Sequence, residues 1–192
     1  MKQYDGNPNG LPFFTRKIRT AYNNCMRIIE YDREKAVNYA KRWAFGRNPE
    51  YYNFDRLGGD CTNFASQCLY AGVGIMNFTP DVGWYYKTSN DRAAAWTGVE
   101  YFYRFLTGNL QGVGNGSGPF AQETTIENLQ IGDFIQFGRV TGDFYHTPVV
   151  VGFNARGVPL LAAHSNDAFN RPLNTWSYER IRYIHVLGAR TY

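Results

Sequence analysis

The sequence is short of several things, and each shortage removes a class of protein. It has three cysteines in 192 residues. An odd count argues against a disulfide framework, and without a Cys-x-x-Cys pair a structural zinc site is not expected. Cys25 and Cys68 then read as small buried hydrophobes. No apolar run is long enough to span a bilayer. The opening segment, MKQYDGNPNGLPFF, lacks the apolar stretch of a signal peptide. The compartment is therefore left open: extracellular or cell envelope if a signal has been removed, cytoplasmic otherwise. No cluster of Lys and Arg accompanies the formal charge of +4, so no nucleic-acid footprint is read. Gly-x-Ser-x-Gly is missing, which removes the serine elbow. No pair of carboxylates stands out for glycoside hydrolysis.

What is present is apolar and aromatic. Hydrophobic residues make up 44% and aromatics 17%, enough for one packed domain. Residues 1–30 read as a turn-rich lead-in and a first helix, with Ile18, Tyr22, Cys25 and Ile29 at helical spacing. Asp32 is placed to cap a second helix striped by Ala36, Val37, Ala40, Trp43 and Ala44. A third helix is expected from Cys61 to Ala71 and a short one over 99–107. Gly112, Gly114, Gly116 and Gly118 suggest a mobile loop. Beyond it, Asp133–Phe137, His146–Phe153, Val158–His164 and Arg182–Leu187 read as strands. Helices first and antiparallel strands later give an α+β fold, with residues 31–192 as the main domain.

The segment that carries chemistry is Leu57-Gly58-Gly59-Asp60-Cys61-Thr62-Asn63-Phe64. Cys61 opens a helix, where unsatisfied N–H groups and the positive end of the dipole favour a thiolate. The same N–H groups can serve as an oxyanion hole, with Asp60 shaping the turn before the nucleophile. A thiol nucleophile needs a base, and the chain has three histidines. If the turn after Phe153 is centred near Ala155, His146 and His164 fall opposite each other on one hairpin. His146 then reads as base and His164 as its orienting partner, with Asn166 and Asp167 as alternatives for the third position. A slip of one residue would put the two rings on opposite faces. His185 reads as structural. Trp84, Tyr85, Tyr86 and Trp96 are candidate groove walls.

The sequence also resembles the "putative amidase domain" family of bacterial proteins, within the papain-like superfamily that holds the NlpC-type and CHAP-type cell-wall hydrolases. The resemblance runs over roughly residues 31 to 187. It rests on Tyr31-Asp32-Arg33-Glu34-Lys35-Ala36-Val37, Arg47-Asn48-Pro49-Glu50-Tyr51-Tyr52, Gly59-Asp60-Cys61-Thr62-Asn63-Phe64 and Trp96-Thr97-Gly98-Val99-Glu100-Tyr101-Phe102. Gly132-Asp133, His146, and His164 with Asn170-Arg171-Pro172-Leu173 continue it. The resemblance implies a papain-like fold, a cysteine amidase or peptidase without metal or cofactor, and peptidoglycan or another peptide-like amide as substrate. The protein is expected to be a monomer. A non-catalytic wall-binding module and a thioester-using acyltransferase are the rival readings.

Overall fold

The computed structural model describes residues 26–192. Four helices precede or interrupt a curled antiparallel sheet, so the fold is α+β. A short strand, β1 (Arg27–Ile29), leads into α1 (Arg33–Trp43). The helix expected over Ile18 to Ile29 is therefore not continued to Ile29, which ends a strand; its other positions lie outside the described residues. Asp32 does cap α1, its Oδ1 accepting from Lys35 N at 3.0 Å. Ala36, Ala40 and Ala44 are buried on one face of α1, and their small side chains let it lie close to α2 (Cys61–Val73).

Helix α2 is the axis of the molecule. All of it is buried except Tyr70 and Ala71. A helix apolar or buried all round belongs to the inside of a domain. Its polar residues are each given a partner. Ser66 Oγ donates to Trp96 O, Gln67 Oε1 accepts from Tyr39, and Asn63 Oδ1 accepts from the Trp96 indole. Gly72 brings α2 against Tyr31, so closely that a Cβ there would stand 2.3 Å from the ring. Short α3 (Ala94–Thr97) and α4 (Val99–Gly108) complete the helical layer.

The sheet consists of β1, β2 (Gly118–Thr124), β3 (Phe134–Gly138), β4 (Phe144–His146), β5 (Val149–Phe153), β6 (Pro159–Ala163), β7 (Ala168–Pro172) and β8 (Arg180–Thr191). Its order is β1-β8-β3-β5-β6-β7, with β2 on β8 and β4 on β3. The strand expected over His146–Phe153 is broken at Pro148, which has no N–H to give to a ladder. His146 therefore pairs with Phe137 of β3, while Val149 pairs with Ala162 of β6. The glycine-rich segment expected to move freely is tied down by two buried asparagines: Asn109 donates to Ser117 O and Pro119 O, and Asn77 to Val113 O and Ser117 O. Trp84 and Trp96 are fully buried and pack on each other at a tilt of 34°, with ring centroids 4.8 Å apart. They are core, and not groove walls. No helix among the described residues is long and apolar enough to cross a membrane.

Candidate functional site

Cys61 is the first residue of α2 and lies at the floor of a cleft of about 300 Å³. Gly58, Gly59, Ser165 and Asn166 line one part of the cleft; Phe137, Tyr145, His146, Arg171, Trp176 and Ser177 line the rest. The loop before α2 is built by Asp60, whose carboxylate is 1% exposed. Its Oδ1 accepts from Phe54 N at 2.9 Å and from Asn63 Nδ2 at 2.9 Å. Its backbone N–H donates to Ser165 Oγ at 2.7 Å, which joins the Cys61 loop to the loop after β6. Arg47 clamps the same two loops from outside, bonding both Asp55 and Asp167. Asp60 is thus a structural hub and does not point at the sulfur as a reacting group.

The sulfur of Cys61 is held from the sheet side. It sits 3.9 Å from the carbonyl oxygen of Tyr145 and 3.8 Å from Thr62 Oγ1. The first of these contacts comes from the residue just before His146. Thr147 is fixed in turn: its hydroxyl meets Thr62 Oγ1 at 3.2 Å and accepts from Gln136 Nε2 at 3.0 Å. Gln136 Oε1 accepts from Arg182 at 2.7 Å, and Arg182 is paired with Glu100 at 2.8 Å. This buried chain of polar groups was missed from sequence. An isolated Gln at the centre of an apolar strand was its one visible trace, since a buried amide must find partners.

His146 is 6% exposed and lies among Phe137 and Trp176, whose ring centroids are 5.9 Å and 5.4 Å away. Burial, with the charge of Arg171 adding to it, pushes its pKa down to about 4. The ring is therefore neutral at neutral pH. Burial also pushes the Cys61 thiol up, against the opposing effect of N–H bonds from Thr147 and Thr62. The expected stabilisation of a thiolate by the helix terminus is outweighed by desolvation, so the resting pair is thiol and neutral imidazole. Two buried side-chain nitrogens have no hydrogen-bond partner among the described residues, His146 Nε2 and Trp176 Nε1, and both residues line this cleft.

His164 is not the partner of His146. The turn between β5 and β6 pairs Phe153 with Pro159, which centres it on Arg156, one residue beyond Ala155. That slip, with the break at Pro148, removes the face-to-face arrangement. Both nitrogens of His164 are used elsewhere, Nδ1 with Asp60 Oδ2 at 2.6 Å and Nε2 with Trp43 O at 2.8 Å, and its ring stacks on Phe64 at 3.9 Å. Of the alternatives, Asn166 lines the cleft, while Asp167 is engaged by Arg47. Tyr85 and Tyr86 are half-buried, pack against Phe78 and against Tyr51 with Trp96, and do not line the cleft. His185 bonds Asp133 at 2.7 Å, consistent with a structural role.

Comparison with known proteins gives three findings. The family model described as "Putative amidase domain" matches residues 30–186. The chain is 35% identical over 177 residues to "Uncharacterized protein YhbB" of Bacillus subtilis (strain 168), an alignment covering 86% of this chain and 53% of that protein. It thus spans about half the length of the curated relative it matches. No solved structure matches it. The matched span holds Cys61, His146, Arg171 and every other residue of the cleft, and on that match the chain belongs to the family described as "Putative amidase domain".

Proposed function

We propose that this cleft hydrolyses an amide bond by cysteine nucleophilic catalysis, with Cys61 as nucleophile and His146 as general base, on a papain-like scaffold formed by residues 31–192. The observation that carries this reading is that a helix-opening sulfur and a neutral, buried imidazole line one small cleft, with the carbonyl of Tyr145, the residue before the imidazole, 3.9 Å from that sulfur. The amidase family supplies the bond type. Peptidoglycan or a related peptide-like amide is the proposed substrate.

The steps follow from the neutral resting pair. As Sγ of Cys61 attacks the amide carbonyl, His146 takes its proton, so charge appears only when substrate has replaced water. With Nε2 buried and without a partner among the described residues, Nδ1 is the ring nitrogen assigned to this transfer. The oxyanion forms near the backbone N–H of Cys61, one of the first N–H groups of α2 and so without an intrahelical partner. Collapse breaks the C–N bond, and the leaving amine takes the proton from His146. Water, giving its proton to His146, then attacks the thioester carbon; Cys61 leaves as thiol and a carboxylic acid is released. Orientation of the imidazole comes from packing between Phe137 and Trp176, while His164, through Asp60, holds the loop that carries Cys61.

The test is mass spectrometry of fragments released from purified peptidoglycan by wild type and by Cys61→Ala. New amine and carboxyl ends are expected from wild type alone, with the far-UV dichroism of the variant unchanged. Equal release by the two proteins would refute the assignment.

A further inference from the structure

Resting on the reading of Cys61 as nucleophile, we propose that Arg171 is a specificity residue that seats a carboxylate of the substrate, so that the preferred amide carries a free carboxylate close to the scissile bond.

Among the described residues that line the cleft, Arg171 alone bears a formal charge and no Asp or Glu is present. Arg33, Arg47 and Arg182 each have carboxylate partners, whereas Arg171 bonds only to a neutral residue, Thr175, through Nε to Oγ1 at 3.2 Å and Nη2 to the carbonyl at 2.7 Å. Among the described residues, those bonds leave Nη1 unengaged. The guanidinium carbon lies over the ring of Trp176, 4.0 Å from its centroid, and Trp176 packs on His146. The cation is thus held beside the base by Thr175 and Trp176, so part of its side-chain entropy is already lost before an anion binds.

This placement works against the chemistry unless an anion arrives. The charge of Arg171 disfavours the imidazolium that His146 must become. A carboxylate on Nη1 makes a charge-assisted hydrogen bond and offsets that repulsion, so the right substrate would raise the basicity of the group that activates Cys61. A neutral amide of the same shape gains neither effect. The site then prefers carboxylate-bearing substrates both in binding and in the proton-transfer step.

Iodoacetate and iodoacetamide are an anionic and a neutral alkylating agent of nearly equal size, and test this without a known substrate. The ratio of their rates with Cys61, read by intact and peptide mass, is compared with the ratio for free cysteine at neutral pH and low salt. Wild type should favour iodoacetate at least about tenfold more than free cysteine does, a difference of about 1.4 kcal/mol. Arg171→Met should return the ratio to that of free cysteine, Arg171→Lys should keep part of the preference, and 1 M salt should erode it in wild type. A wild-type ratio equal to that of free cysteine, or one unmoved by Arg171→Met, overturns the proposal and leaves the nucleophile intact. A Cys61 inert to both reagents removes the nucleophile, and this proposal with it.

Discussion

His146 makes the chain sensitive to acid in a way that the residue type alone would not show. In the unfolded chain its pKa is that of an ordinary histidine, about 6.5. In the fold it is pushed down to about 4. Between these values the unfolded chain binds a proton that the native chain refuses. Stability from this residue is therefore complete above pH 6.5, falls as pH drops toward 4, and is gone below it. The interval amounts to about 3 kcal/mol. Urea unfolding of wild type and His146→Asn from pH 7 to pH 4 measures it: the wild-type curve should fall more steeply by about that amount, and parallel curves would mean that the imidazole is not buried neutral. Reading His146 as the base rests on the scarcity of histidine and on a hairpin register opposite His164 that the fold does not keep. Its protonation state could not be read, because it follows from Phe137 of β3 and from Arg171 and Trp176 at the end of β7 and just after it, which only the folded sheet brings to it.

At the scale of elements, most of the helices are legible because their signals are local. Asp32 caps α1, and two glycines followed by Asp60 and Cys61 mark the start of α2. The packing of those helices also leaves a local trace. Gly72 lets α2 touch Tyr31, whose hydroxyl is tied to Gly132 O at 2.9 Å and whose ring cannot swing aside. Gly72→Ala should cost about 1–3 kcal/mol or more through overpacking. Gly74→Ala, at a left-handed helix end with no atom nearby, should cost only about 1 kcal/mol of backbone strain. Chemical denaturation of both variants checks the order; a reversal would mean that α2 does not lie this close to Tyr31. Strands fared differently. β2 begins at Gly118 in a segment that reads as loop, and pairs with residues near the far end of the chain, Gly118 with Arg190. Such a pairing has no signature within the strand itself.

Across the whole molecule, the two errors about the site have a common cause. Trp84 and Trp96 look like groove residues in a composition rich in aromatics, yet each indole N–H finds a partner inside the core, Ser66 and Asn63 respectively. His164 looks like the partner of His146, yet a turn centred one residue later sends it to Asp60. In both cases residue type was informative and direction was not, since direction is set by register and by which layer covers a face. The cleft itself depends on that global arrangement: α2 supplies the sulfur, the end of β4 the imidazole, β7 the Arg171 and the segment after it the Trp176.

The central claim is that one proton is shared between Cys61 and His146. The rate of Cys61 alkylation by iodoacetamide, followed by mass from pH 3 to pH 10 in wild type and His146→Ala with Cys68 as the internal reference, tests it most directly. Wild type should show a rise near pH 4, set by loss of the His146 proton, and a second at alkaline pH, set by the raised thiol. The variant should keep only the alkaline rise and react far more slowly at neutral pH. Superimposable profiles would contradict the account.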